Sequence, residues 1–157
     1  IIESGLEHLR RSARGKSVTV YHLKAGVEAC HSLSEDYKAT DWDRIISLYD
    51  TYLEVHNSSE VALQRALLLA EAASVNRAIE AIEELLEEDE CCDCRALYSS
   101  LGDLYMKIHR YGKARECYDS ALRGSESETE SVIVERKLRT CAERLRFKEN
   151  YRLFNNF

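Results

Sequence analysis

Apolar residues recur at three- and four-residue intervals along almost the whole chain, and nowhere do apolar and polar positions alternate as in a half-buried strand. The pattern predicts an all-α protein of about eight helices separated by short polar or glycine-bearing turns. A first helix is expected from about Ile2 to Ala13, with Leu6 and Leu9 inward and Gly15 placed to cap it in the left-handed conformation. A second, from about Val18 to Leu33, carries Leu23, Val27 and Cys30 on one face. Thr40 and Asp43 have the spacing of a capping box, so a third helix is expected from there to about Val55. Ser58-Ser59-Glu60 opens a fourth that presents Leu63, Ala66, Leu67 and Ala70, and the turn Ala73-Ser74-Val75-Asn76 leads into a fifth through Ile79, Ile82, Leu85 and Leu86. So short a turn predicts that the fourth and fifth pack as antiparallel neighbours.

The next two helices carry a stricter pattern. Tyr98, Leu101-Gly102 and Tyr105 on one, then Ala114, Tyr118 and Ala121 on the other, fill a tetratricopeptide repeat (TPR) pattern almost position for position. Its physical content is packing: Gly102, Ala114 and Ala121 let two helix backbones approach closely, while the three tyrosines fill the gaps between repeats. Two slots depart from the pattern, with His109 where a turn glycine is usual and Glu126 where a proline usually ends the second helix. Stepping the template upstream by close to its nominal 34 residues sets Ala66, Leu69, Ala78, Ile82 and Leu85, and one step earlier Ile45, Tyr49 and Tyr52, into corresponding slots. The chain therefore reads as one TPR-like superhelix of antiparallel helix hairpins over residues 1–157. It has a clear repeat at about 95–128 and degenerate repeats at about 18–57 and 59–92. A capping helix at about 129–147 closes it, its inner stripe being Val134, Leu138, Cys141 and Leu145.

Composition sharpens this picture. The 157 residues include no proline, the strongest helix breaker, and a chain of this length buries a core without metal or disulfide. No apolar run approaches the eighteen or so residues that a membrane span needs, and no basic-then-apolar leader is present, so a cytoplasmic protein is expected. The net charge of −6 argues against direct DNA binding, which rests on neutralising phosphates. The chain opens on Ile1 in what already reads as an amphipathic helix, so it is expected to be a piece of a longer protein.

Little in the chain has the spacing of chemistry. The six cysteines read as reduced thiols. Cys91 and Cys94 form a C-x-x-C that is either a thiol-rich loop or half of a zinc or redox site, and the other half is missing because the five histidines are scattered singly. No cofactor is expected. The acidic run Glu83-Glu84 with Glu87-Glu88-Asp89-Glu90 opposes the helix macrodipole at a cost of a few tenths of a kcal/mol per charge, and is either a solvated helix end or a surface for a basic partner. The basic closing stretch, from Arg136-Lys137 to Arg152, reads as a solvated cap because acids interleave it. There is no glycine-rich phosphate loop and no nucleophile–base signature, so the chain is expected not to be an enzyme.

Three strings go beyond a generic repeat. Tyr21-His22-Leu23-Lys24-Ala25-Gly26-Val27-Glu28-Ala29-Cys30-His31 comes first, then Thr40-Asp41-Trp42-Asp43-Arg44-Ile45-Ile46-Ser47-Leu48-Tyr49-Asp50, then the stretch from Val61 through Gln64-Arg65-Ala66. In this order they resemble the C-terminal extension of one group of bacterial extracytoplasmic-function (ECF) sigma factors, in the sigma-70 superfamily, although asparagine is more usual at the Gln64 position. The resemblance covers about Ile1 to Leu145. It implies a TPR-like regulatory extension whose N-terminal sigma domains, absent from this chain, bind core RNA polymerase and promoter DNA. It implies as partners those sigma domains, the polymerase core, or both.

Residues placed to make such contacts are Asp41, Trp42, Tyr49 and Asp50 on the Thr-Asp-Trp helix, and Gln64, Arg65 and Asp103 on first helices of repeats, which line the concave face of a TPR solenoid. Each has a plainer alternative. Thr40 or Asp41 could simply cap a helix and Trp42 pack in an interhelix groove, and the polar three could form ordinary buried salt bridges or hydrogen bonds. A free-standing TPR adaptor for a peptide of an unrelated partner is the alternative function, and Asp103 would repel the carboxylate that chaperone-tail-binding TPR proteins hold.

Overall fold

The computed structural model describes residues 19–34, 40–87, 94–123 and 128–154. The secondary structure among them is entirely helical: α1 (Val20–Leu33), α2 (Trp42–Leu53), α3 (Ser59–Ala72), α4 (Val75–Glu87), α5 (Cys94–Lys107), α6 (Tyr111–Arg123) and α7 (Glu128–Phe154). The architecture is all-α, built from consecutive packed helices as the repeat pattern predicts. The expected first helix with its Gly15 cap, the Glu126 slot and Cys91 lie outside the described residues. The chain divides into two compact units, Ile1–Ser74 and Val75–Phe157, and the division falls inside the turn that was expected to close a helical hairpin within a repeat.

In the first unit α1 packs on α2 and α2 on α3. Thr19 opens α1, its backbone N–H donating to His22 Nδ1 at 3.1 Å. Leu23, Gly26 and Cys30 form the buried face of α1, and the close approach of α2 depends on Gly26, where a Cβ would stand 2.9 Å from Leu48 Cδ1. Ile45 is fully buried, and Val61 and Ala66 are the buried residues of α3. Leu63, Leu67 and Ala70, expected inward, are only half-buried.

One capping expectation is corrected. The N-cap of α2 is Asp41, whose carboxylate Oδ1 accepts from the Arg44 backbone N–H at 3.0 Å, in place of a Thr40–Asp43 box. Moving the cap one residue on leaves Thr40 buried and puts Asp43 in the first turn, where its charge favours the positive helix end. Ser58 caps α3 as expected, its hydroxyl accepting from Val61 N–H at 3.4 Å.

In the second unit α4, α5, α6 and α7 pack in sequence. A Cβ on Gly102 would stand 2.5 Å from Tyr118 Cε1, so the ring of α6 lies flush on the α5 backbone. Ala114 and Ala121 are fully buried, Tyr105 and Tyr118 nearly so, and Tyr98 is half-buried. The α5–α6 turn closes on His109, which holds φ 58° in the glycine slot. The carbonyls behind it are satisfied as in a Schellman cap, with Arg110 N–H donating to Tyr105 O at 2.9 Å and His109 N–H to Met106 O at 3.1 Å. Val134 and Cys141 are buried on α7, with Leu138 and Leu145 half-buried beside them, and the helix runs on to Phe154.

Candidate functional site

The candidate residues of the first unit fall at two helix–helix seams. At the α1–α2 seam the Trp42 ring meets His31 edge-on, ring centres 5.8 Å apart and planes at 75°, leaving the indole half-buried. Asp41 beside it is committed to the cap. At the α2–α3 seam two bridges stand side by side. The Tyr49 hydroxyl donates to Gln64 Oε1 at 3.5 Å, and Arg65 Nε donates to Asp50 Oδ1 in a short ion pair. Gln64 also donates to Glu60 Oε1 at 3.4 Å. Burial pushes the Tyr49 phenol above its ordinary range. Both bridges span fifteen residues, so the helical register that aligns Tyr49 with Gln64 aligns Asp50 with Arg65.

Asp103, in the second unit, is the centre of a polar cluster. Its Oδ1 accepts from Tyr118 OH at 2.7 Å and its Oδ2 from Lys137 Nζ at 2.5 Å. Lys137 also donates to Ser99 Oγ at 3.1 Å and stands over the Tyr118 ring, 5.8 Å from its centre. Burial first, then the bond to Asp103, pushes the Tyr118 phenol strongly upward. An open cleft of about 250 Å³ lies here, lined by Asp103, Met106, Tyr118, Arg136, Lys137 and Thr140. A second cluster joins α4 to α5 and α6: Tyr105 OH donates to Glu83 Oε1 at 2.6 Å, and Lys113 Nζ donates to Tyr105 OH at 3.4 Å and lies over its ring. Glu83 of the acidic run is thereby engaged within the fold.

Lys137 is the residue that sequence reasoning missed, because it stood among other cations in a stretch read as a solvated cap. The signal was available. Lys137 follows Asp103 by 34 residues, one nominal repeat, so one further step of the template sets it in the slot of the next first helix.

The thiols divide by burial. Cys30, Cys117 and Cys141 are buried and Cys94 is exposed. Burial raises the pKa of all three buried thiols, that of Cys117 to about 11, and Cys141 donates to the Tyr111 carbonyl at 3.1 Å. Among the described residues no group of three or more His, Cys, Asp or Glu is placed to hold a metal ion. None of their helices is long and apolar enough to cross a membrane.

The class defined by these elements is all-α, with tyrosine-filled gaps between packed helices. No protein-family model matches the chain, and no curated protein matches it.

Proposed function

We propose that this chain is a regulatory protein-interaction domain of a bacterial ECF sigma factor, and that it modulates transcription initiation through contacts with the sigma domains or RNA polymerase. The observation that carries the reading is the mutual packing of the three resembling strings. They fall on α1, α2 and α3, the first string meeting the second through Gly26 against Leu48 and His31 against Trp42, and the second meeting the third through Asp50 against Arg65. Residues that give the resemblance are thus residues that hold one unit together, which favours a shared fold over three chance matches. The polar candidates are engaged in bridges between helices, an arrangement suited to presenting a rigid surface rather than to turning over a substrate.

The test is transcription in vitro from the target promoter by the full-length factor and by the same factor lacking residues 1–157. A changed transcript yield is expected on deletion, and an unchanged yield would sink the proposal. So would codons upstream of Ile1 that encode no polymerase-binding helices. A free-standing TPR adaptor is the second reading, favoured by the closely fitted α5–α6 pair, and recovery of a partner unconnected with transcription through the Asp103 cleft would select it.

A further inference from the structure

Helix α7 carries a charge opposite to that of the molecule. Between Ser131 and Tyr151 six basic residues stand against three acidic ones, in a chain of net charge −6. Its inner stripe is occupied by the fold, whereas Ile133, Arg136, Thr140, Arg144, Phe147 and Tyr151 follow one another at three- and four-residue spacing on another face. Ile133, Phe147 and Tyr151 are 51%, 72% and 63% exposed, and the three polar residues between them are exposed as well. Arg136 and Arg144 make no ion pair among the described residues. The N-terminal half of this face runs into the Asp103 cleft, which Arg136 and Thr140 help to line, and there the Asp103 charge is already matched by Lys137.

We infer that this face of α7, together with the adjoining cleft, is a docking surface for an acidic polypeptide segment carrying an aromatic or large aliphatic side chain. The cations supply attraction at long range and the exposed rings supply apolar area to bury, the division of labour common at protein interfaces. Arginine and aromatic residues are also the side chains most often found as interface anchors. Charge complementarity selects the occupant. A basic, apolar-studded helix on an acidic molecule attracts acidic segments and repels basic ones. The proposal rests on reading the domain as an interaction module, and not on its assignment to transcription.

The experiment titrates the whole chain into a short fluorescein-labelled peptide of Glu and Asp residues flanking a central Leu-Phe pair, and follows anisotropy at low and high salt. Saturable binding is expected, weakening with salt because the charges are exposed, and falling away for the same peptide with Gln and Asn in place of the acids. Arg136→Glu combined with Arg144→Glu should weaken binding about tenfold, and Phe147→Ser should weaken it at all salt concentrations. Neither change touches a buried side chain, so an unaltered melting temperature verifies the fold. Absence of saturable binding, or equal binding by the double variant, overturns the inference. So does displacement of the peptide by single-stranded DNA at lower concentration, or a dimer seen by light scattering that the double variant abolishes while the peptide fails to bind. Peptide binding without a transcription effect would leave this surface standing and remove the sigma assignment, and the converse result would do the reverse.

Discussion

Gly102 and His109 show how single backbone positions set the α5–α6 pair. The Tyr118 ring occupies the space a Cβ at Gly102 would need, and that ring is buried and tethered through its hydroxyl to Asp103, so it cannot swing aside cheaply. Gly102→Ala should destabilise the protein by about 1–3 kcal/mol in urea unfolding, through overpacking, although alanine is the better helix former. A wild-type midpoint would refute the close approach. His109 is the opposite case, since its φ of 58° costs a β-carbon-bearing residue what it does not cost glycine. Its ring bonds the exposed Tyr111 hydroxyl at 2.9 Å, a contact worth little in water. His109→Gly should therefore raise stability by up to about 1 kcal/mol, read as a higher melting temperature, and a lower one would mean that the Tyr111 contact outweighs the backbone cost.

At the scale of the element, the helix starts and seams follow simple rules of polar pairing. The sequence placed a cap at the start of α2 and left Thr40 and Asp41 as candidates, although the spacing of a capping box favours Thr40, with an acid three residues on. The fold selects Asp41, since Thr40 is then free to be buried while Asp43 still faces the positive end of the helix. At the α2–α3 seam the Asp50–Arg65 pair is partly exposed, so water and salt screen it, and its stability contribution is correspondingly small. A double-mutant cycle with Asp50→Ala and Arg65→Ala should give a coupling of about 0.2–1 kcal/mol, falling with added salt. A coupling near zero would show that the pair fixes register without stabilising the seam.

At the scale of the whole molecule, burial is the largest cause of the raised pKa values of its buried thiols and phenols. Cys117 titrates near 9 when unfolded and is pushed up to about 11 in the fold, by burial first and then by the Glu116 and Glu83 carboxylates, and Tyr105 and Tyr118 are raised in the same direction. The unfolded chain therefore loses these protons at lower pH than the folded one. The stability the Cys117 thiol contributes is fully present below about pH 9 and is lost as pH rises from 9 through 11, and the two tyrosines carry the loss on to higher pH. Unfolding midpoints should fall over that window, less steeply in Cys117→Ala, and a flat profile would contradict the burial. The same separation should appear in alkylation near pH 8, with Cys94 modified in the native protein and Cys30, Cys117 and Cys141 only after unfolding, as mass spectrometry of the digested protein can read out.

The sequence by itself determined the helices of the described residues and much of their inward faces, with α3 the exception at Leu63, Leu67 and Ala70. The 3.6-residue period, the missing proline and the small residues at Gly102, Ala114 and Ala121 are local properties, and local properties survive reading one residue at a time. It also determined that Asp103 sits within a helix, which is α5. What that carboxylate meets was decided only by tertiary structure, which brings Lys137 from 34 residues away to its Oδ2 and thereby converts a candidate ligand contact into an internal bridge. The same holds for Tyr49 with Gln64 and Asp50 with Arg65. Periodicity fixes the direction in which a side chain leaves its own helix. It carries no information on which neighbour's side chain stands at the other end, because that depends on the rotation and offset of two helices, quantities that only their packing sets.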